Sequence, residues 1–354
     1  MTEKIFIDGN EAVGRGAIMA GCKYFFGYPI TPQNEIPEYF SRELPKVGGV
    51  YLQSEGETAA GFMLLGGALS GARCMTSTSS PGFSLMQEAI SHMAASELPA
   101  VIVEVMRLGP GAGTTQQGQT DYRQVTKGGG HGAYRSIVLA PSSVQEVFDF
   151  VQEAFYLAEK YRILVIVLMD FILGRMSELI DHRPVNFDEL PEKEWALKGK
   201  GRKGGRTTQI LSGVLAIPPF FERQIEKYNT ITNTLTRHET YCTDDAELLV
   251  VAYGSSARSS QDAVDMAREE GLKAGLLRPI TLWPFPQKAV KEEGTKIGRI
   301  LVVEDSPGEL VEDVRASVGD GAQVDLLNIL ARHNPTPQGL IFPERILKEV
   351  KKLI

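Results

Sequence analysis

The stretch Tyr51-Leu52-Gln53-Ser54-Glu55-Gly56-Glu57 places two carboxylates within three residues, after an apolar lead-in and before the small-residue run from Thr58 to Leu69. Val50 to Gln53 read as the end of a strand, and Thr58 to Leu69 as a helix that lets another backbone come close. A carboxylate at such a junction sits where parallel sheets hold ligands, outside the carboxyl ends of the strands. Either acid also suits a helix start, where the dipole favours negative charge. Spacing alone does not separate Glu55 from Glu57.

Other polar residues stand at comparable junctions. In Tyr28-Pro29-Ile30-Thr31-Pro32 two prolines forbid helix and central strand, so the loop is stiff and holds the Thr31 hydroxyl in a defined place. Ser77-Thr78-Ser79-Ser80-Pro81-Gly82 is a turn that either caps the helix after it or donates hydroxyl and amide hydrogens to a ligand. Arg107 ends the apolar strand Ala100 to Met106. A long polar loop follows, from Gly109 to Gly132, of a length that is usually functional or disordered. His131 in that loop suits acid–base work or a structural role equally.

The elements that must position these residues alternate in type. Strands at 4–7, 23–26, 50–53, 73–77, 100–106, 136–139 and 163–170 are interleaved with helices. Runs such as Ile163-Leu164-Val165-Ile166-Val167-Leu168 imply burial on both faces. This is α/β architecture with a parallel sheet. Periodicity fails from Asp181 to Asp245, which reads as a solvated basic connector. Gly199-Lys200-Gly201-Arg202-Lys203-Gly204 matches a dinucleotide pattern there, but no strand precedes it and no helix follows, so it carries no site. A second α/β unit begins at Glu247. The expected division is 1–180, 181–245 and 246–354.

The 354 residues carry a net charge of −7, which offers no electrostatic case for nucleic acid or an anionic membrane. No apolar run approaches the roughly 20 residues of a membrane span, and the first residues lack the pattern of a signal peptide. A cytoplasmic protein is expected. Cys22, Cys74 and Cys242 are far apart and include no Cys-x-x-Cys pair, so metal centres for any redox chemistry must lie on another chain.

Taken together, the chain resembles the alpha subunit of the 2-oxoacid:ferredoxin oxidoreductases, the thiamine-diphosphate enzymes related to pyruvate:ferredoxin oxidoreductase. The motifs are Tyr28 to Pro32, the Glu57 segment, Ser77 to Gly82, Met106-Arg107 with its glycine loop, Ala140-Pro141-Ser142-Ser143-Val144-Gln145-Glu146, and Arg278-Pro279 to Pro286. They cover nearly the whole chain in family order. Among subfamilies the likeness is to enzymes acting on branched-chain 2-oxo acids or 2-oxoglutarate.

The resemblance implies a parallel-sheet thiamine-diphosphate pyrimidine-binding domain followed by a smaller transketolase C-terminal-like α/β domain. It implies that Glu57, whose spacing to Gly66 matches the family, bonds the aminopyrimidine ring and supports proton removal from the thiazolium carbon. Thr31 and Arg107 match positions that hold the substrate's carbonyl and carboxylate, tasks suited to a hydroxyl and a bidentate guanidinium. Pro29, Ser79 and Ser80 are expected beside the cofactor. The family's diphosphate and Mg2+ motif is Gly-Asp-Gly with a distant asparagine. Here Asn328 is too near Gly319-Asp320-Gly321, which reads as a turn, so no metal ligand is assigned in this chain.

A beta subunit is therefore expected to hold the diphosphate and Mg2+. A gamma subunit and a ferredoxin-like delta subunit with iron–sulfur clusters would complete a dimer of hetero-oligomers. The implied reaction is oxidative decarboxylation of 3-methyl-2-oxobutanoate or 2-oxoglutarate to acyl-CoA, with coenzyme A as substrate and ferredoxin as acceptor. Two alternatives keep the fold: a non-catalytic docking subunit, or the pyrimidine-binding subunit of a lipoamide-linked dehydrogenase.

Overall fold

The unbroken apolar runs Ala100–Met106 and Leu164–Asp170 form neighbouring parallel strands that are buried at every residue. They are the middle of a sheet in the computed structural model, which describes residues 3–197, 199, 217–328 and 341–354. The chain opens with β1 (Glu3–Asp8), α1 (Gly9–Met19), β2 (Tyr24–Gly27), α2 (Glu35–Glu43) and β3 (Val50–Gln53). Next come α3 (Glu57–Leu69), β4 (Cys74–Thr78), α4 (Pro81–Leu85), α5 (Gln87–Ala95), β5 (Ala100–Met106) and α6 (Tyr122–Lys127). The first unit ends with β6 (Ile137–Leu139), α7 (Val144–Tyr161), β7 (Leu164–Asp170), α8 (Phe171–Arg175) and β8 (Ser177–His182).

After the segment outside the described residues come α9 (Ile217–Leu235), β9 (His238–Tyr241), β10 (Leu248–Val251), α10 (Gly254–Glu269) and β11 (Ala274–Pro279). The remaining elements are β12 (Thr281–Trp283), α11 (Gln287–Ile297), β13 (Arg299–Glu304), α12 (Leu310–Val318), β14 (Gln323–Asn328) and α13 (Pro343–Leu353).

The large sheet has the order β12-β6-β7-β5-β4-β2-β3, parallel except for β12. A second sheet, β14-β13-β10-β11-β9, is parallel except for β9. β1 and β8 form a separate antiparallel ribbon. Strand alternation divides the large sheet's core. Val101, Val103 and Val105 pack in the cluster that contains Val13 of α1 and Phe148 of α7, while Ile102 and Met106 join Leu64 of α3 and Ile90 of α5.

Two sequence expectations change. The region from Asp181 to Asp245 contains the 19-residue helix α9, whose buried stripe of Phe220, Gln224, Ile231 and Leu235 is interrupted by a glutamine and follows Pro218-Pro219. The long loop after β5 contains the short helix α6. Within the Arg278–Pro286 motif, Thr281–Trp283 pairs antiparallel with β6, so the second unit supplies an edge strand to the first sheet. The Gly199–Gly204 run lies, Gly199 apart, outside the described residues. Gly319-Asp320-Gly321 is a single 3-10 turn with no buried residue, as a turn reading expects.

Two of the sequence motifs meet across the two sheets. The Ser143 side chain accepts the Glu146 N–H at the start of α7, and Glu146 accepts the Ser142 N–H at 2.7 Å. Arg278, at the end of β11, then grips both Glu146 oxygens, each at 2.7 Å. Burial alone would raise the Glu146 carboxyl, but this guanidinium holds it below the usual carboxylate range.

Candidate functional site

The adjacent strands β5, β4, β2 and β3 point their carboxyl ends at one edge. Each leads directly into a segment singled out by sequence: Arg107 after β5, Ser79-Ser80 after β4, Tyr28–Pro32 after β2, and Ser54–Glu57 after β3. Strand order alone therefore gathers Pro29, Thr31, Glu57, Ser79, Ser80 and Arg107. It does so where open parallel sheets place ligands.

Local bonds turn β3 into α3. The Ser54 N–H donates to the Gly27 carbonyl at 2.9 Å, and its hydroxyl to the Gly56 carbonyl at 2.8 Å. Glu57 is the first residue of α3, only 8% exposed, and its carboxylate has no hydrogen bond or ion pair among the described residues. Glu55 is exposed. The two acids that spacing left equivalent thus occupy different environments. A Cβ on Gly82 would stand 2.7 Å from Glu57 Cγ and Oε1, so glycine leaves the room that the carboxylate uses. The buried Thr78 and Ser79 hydroxyls at the end of β4 are also without partners.

Ser80 differs from Ser79. Its backbone has φ +24°, its N–H donates to Glu104 Oε1 at 2.5 Å, and its hydroxyl donates to Asp121 Oδ2 at 2.5 Å. That hydroxyl also receives the Arg107 N–H at 3.1 Å. Ser80 is therefore committed to its own chain, whereas the Ser79 hydroxyl is not.

Thr31 and Arg107 meet, but through the backbone. Arg107 Nη1 donates to the Thr31 carbonyl at 2.9 Å and Nη2 to the Ala112 carbonyl, while the buried Nε has no partner. The Thr31 side chain is exposed, as is Pro29. Thr31, Pro32, Glu35, Phe171 and Arg175 line an adjoining cleft of about 420 Å³, in which Arg175 pairs with Glu35. His131 stands elsewhere: its side chain is 70% exposed and bonds Glu88, 3.3 Å away, on α5.

The loop after Arg107 is clamped by the second unit. Gln119 Nε2 donates to the Tyr253 carbonyl at 3.1 Å, and its Oε1 accepts from the Ser256 hydroxyl at 3.1 Å and the Asp305 N–H at 3.0 Å. Gln117 Nε2 donates to Asp305 Oδ2 at 2.9 Å and to the Ser255 hydroxyl at 3.0 Å. Burial, first, and the Asp170 charge push the Asp305 carboxyl up to about 7. Sequence reasoning passed over Gln117, Gln119, Asp121 and Glu104. Glu104 had one visible signal, a lone carboxylate inside an otherwise apolar strand.

The donor set suits a neutral, hydrogen-bonding ring at Glu57 and an anionic group near Arg107. Among the described residues, no group of three or more His, Cys, Asp or Glu is arranged to hold a metal ion. No helix among them is long and apolar enough to cross a membrane.

Comparison with known proteins agrees with this arrangement. The family model for the thiamine-diphosphate-binding domain of pyruvate flavodoxin/ferredoxin oxidoreductase matches residues 15–241, and that for pyruvate:ferredoxin oxidoreductase core domain II matches 246–338. The ketoisovalerate oxidoreductase subunit VorB of Methanothermobacter thermautotrophicus is 47% identical over 323 residues, covering 91% of this chain and 92% of that protein. The 2-oxoglutarate synthase subunit KorA of the same organism is 38% identical over 382 residues and is covered end to end, as is this chain.

A solved structure of 2-oxoglutarate:ferredoxin oxidoreductase from Magnetococcus marinus, with 2-oxoglutarate, coenzyme A and succinyl-CoA bound, is 28% identical with a TM-score of 0.86. The match covers 99% of this chain and 65% of that one. A split-gene transketolase, an inactive beta4 tetramer, is 14% identical with a TM-score of 0.61, covering 98% of each chain, and shares the fold. The chain belongs to the 2-oxoacid:ferredoxin oxidoreductase family, as a subunit that carries its thiamine-diphosphate-binding domain followed by the second core domain.

Proposed function

We propose that this chain is the alpha subunit of a 2-oxoacid:ferredoxin oxidoreductase and that Glu57 holds the aminopyrimidine ring of thiamine diphosphate. The observation that carries the reading is the Glu57 carboxylate, 8% exposed and without a partner, at the carboxyl edge of the sheet. A carboxylate so placed, with no partner among the described residues, is free to accept a hydrogen bond from a ring nitrogen bearing hydrogen. The space kept by Gly82 and the free Thr78 and Ser79 hydroxyls fit the same group.

When bound, thiamine diphosphate supplies the carbon nucleophile and electron sink for decarboxylation of a 2-oxo acid. Glu57 accepts a hydrogen bond from the ring and holds the tautomer that accepts a proton. Arg107 presents a guanidinium to the substrate carboxylate, and the exposed Thr31 hydroxyl donates to its carbonyl oxygen. Ser79 and Pro29 line the cofactor side. Ser80 keeps Arg107 in place rather than touching the cofactor.

The substrates proposed are 3-methyl-2-oxobutanoate or 2-oxoglutarate with coenzyme A, and ferredoxin is the acceptor. The VorB and KorA relatives support these two choices. A beta subunit would hold the diphosphate and Mg2+, a gamma subunit and a ferredoxin-like delta subunit would complete the complex, and iron–sulfur clusters would lie on other subunits, in the cytoplasm. Residues 1–180 are read as the pyrimidine-binding domain, 181–245 as connector and 246–354 as the C-terminal-like domain. The family models part between 241 and 246, which supports the second boundary.

Reconstitution with the partner subunits tests the reading. Acyl-CoA should form from a 2-oxo acid with reduction of ferredoxin. Reduction of lipoamide or NAD in place of ferredoxin, or no dependence on this chain, would overturn it.

A further inference from the structure

Glu104 is the one charged residue in β5, and strand alternation sends it to the same face as Ile102 and Met106, under the serine turn. It is 0% exposed. Its Oε1 accepts the Ser80 N–H at 2.5 Å, and its Oε2 has no partner. An ionised carboxylate with a buried, unbonded oxygen is far more costly than a neutral acid in the same place.

Ser80 joins this acid to the rest of the site. Its hydroxyl bonds Asp121 at 2.5 Å and receives the Arg107 N–H at 3.1 Å. Its φ of +24° is a conformation that non-glycine residues rarely adopt and that persists only when surroundings hold it. Glu104 supplies the hold on the main chain, and Asp121 the hold on the side chain.

We propose that Glu104 is a positioning residue: as a neutral acid accepting the Ser80 N–H, it fixes the turn that aims Arg107 at the substrate carboxylate. The aim of Arg107 rests on the functional reading above. Two charged groups act on Glu104 besides burial, which comes first: Asp121 opposes its ionisation and Arg107 favours it, and the carboxyl lies well above its ordinary range. Burial also raises Asp121, to about 6, against the Ser80 bond and the Arg107 charge. The unpartnered Oε2 of Glu104 and the nearby Asp121 carboxylate both favour the protonated form of Glu104.

The test compares Glu104→Gln, which reproduces a neutral acid, with Glu104→Met, which removes the acceptor, in the complex with its partner subunits. Glu104→Gln should keep kcat and KM within about threefold of wild type, while Glu104→Met should raise KM for the 2-oxo acid about tenfold or more with a smaller change in kcat. Equal damage in both variants, or a Met variant indistinguishable from wild type, overturns the proposal.

A second measurement needs no turnover. Thermal unfolding of the full chain from pH 5 to 8 should show Glu104→Gln gaining stability relative to wild type as pH rises, because only wild type loses stability by retaining a proton. A constant difference would mean that Glu104 is ionised throughout, which also overturns the proposal. If the wild-type complex oxidises no 2-oxo acid, the functional reading fails, and the unfolding comparison still decides the state of Glu104.

Discussion

Glu57 and Gly82 share one space: a Cβ on Gly82 would lie 2.7 Å from both Cγ and Oε1 of the glutamate. The turn after β4 therefore shapes the carboxylate's surroundings although it comes from a different strand. Gly82→Ala should displace the Thr78 hydroxyl, which lies nearest the added Cβ, together with Glu57, and weaken thiamine diphosphate binding to the reconstituted complex about tenfold or more, by isothermal titration. Its overpacking should cost about 1–3 kcal/mol of stability.

Arg107 uses both ends of its fork, on the Thr31 and Ala112 carbonyls. Lysine keeps the charge and loses the fork. Arg107→Lys should raise KM for the 2-oxo acid on the order of tenfold while leaving thiamine diphosphate affinity within about threefold. Steady-state kinetics alongside cofactor titration separate the two effects.

Gln119 holds the Arg107 loop to the second unit through bonds to Tyr253, Ser256 and Asp305. Gln119→Leu preserves volume but leaves buried polar groups without partners. It should destabilise the chain by about 2–4 kcal/mol, read from denaturant midpoints, and should lower activity through the loop.

Asp305 gives the stability a pH slope. An acid whose carboxyl is raised in the folded state keeps its proton more tightly there, so unfolding releases it. Its contribution therefore falls as pH rises from near 4 to about 7 and is flat above. Asp305→Asn should remove that slope, seen as a smaller fall in Tm between pH 5 and pH 7.

Much of this was legible in the sequence because parallel strands signal themselves twice, through apolar runs and through the polar residues at their carboxyl ends. Thr31, Ser79, Ser80 and Arg107 were visible in that way, and so was the pair Glu55 and Glu57. Deciding between the pair by burial required knowing that α3 opens at Glu57. Helix α9 was hidden because half of it faces solvent and its inward stripe includes Gln224. The committed role of Ser80 was hidden for another reason: its partners Glu104 and Asp121 lie 24 and 41 residues away. The cross-unit bonds of Gln117 and Gln119 span still longer separations, which no local pattern encodes.

The central claim is that the unpartnered Glu57 carboxylate serves thiamine diphosphate. The most direct measurement compares turnover of wild-type and Glu57→Gln complexes at saturating thiamine diphosphate, with assembly checked by size-exclusion chromatography. The account predicts intact assembly and a turnover lower by about 100-fold or more, as loss of an acid–base partner requires. An intact Glu57→Gln complex turning over near the wild-type rate would contradict it.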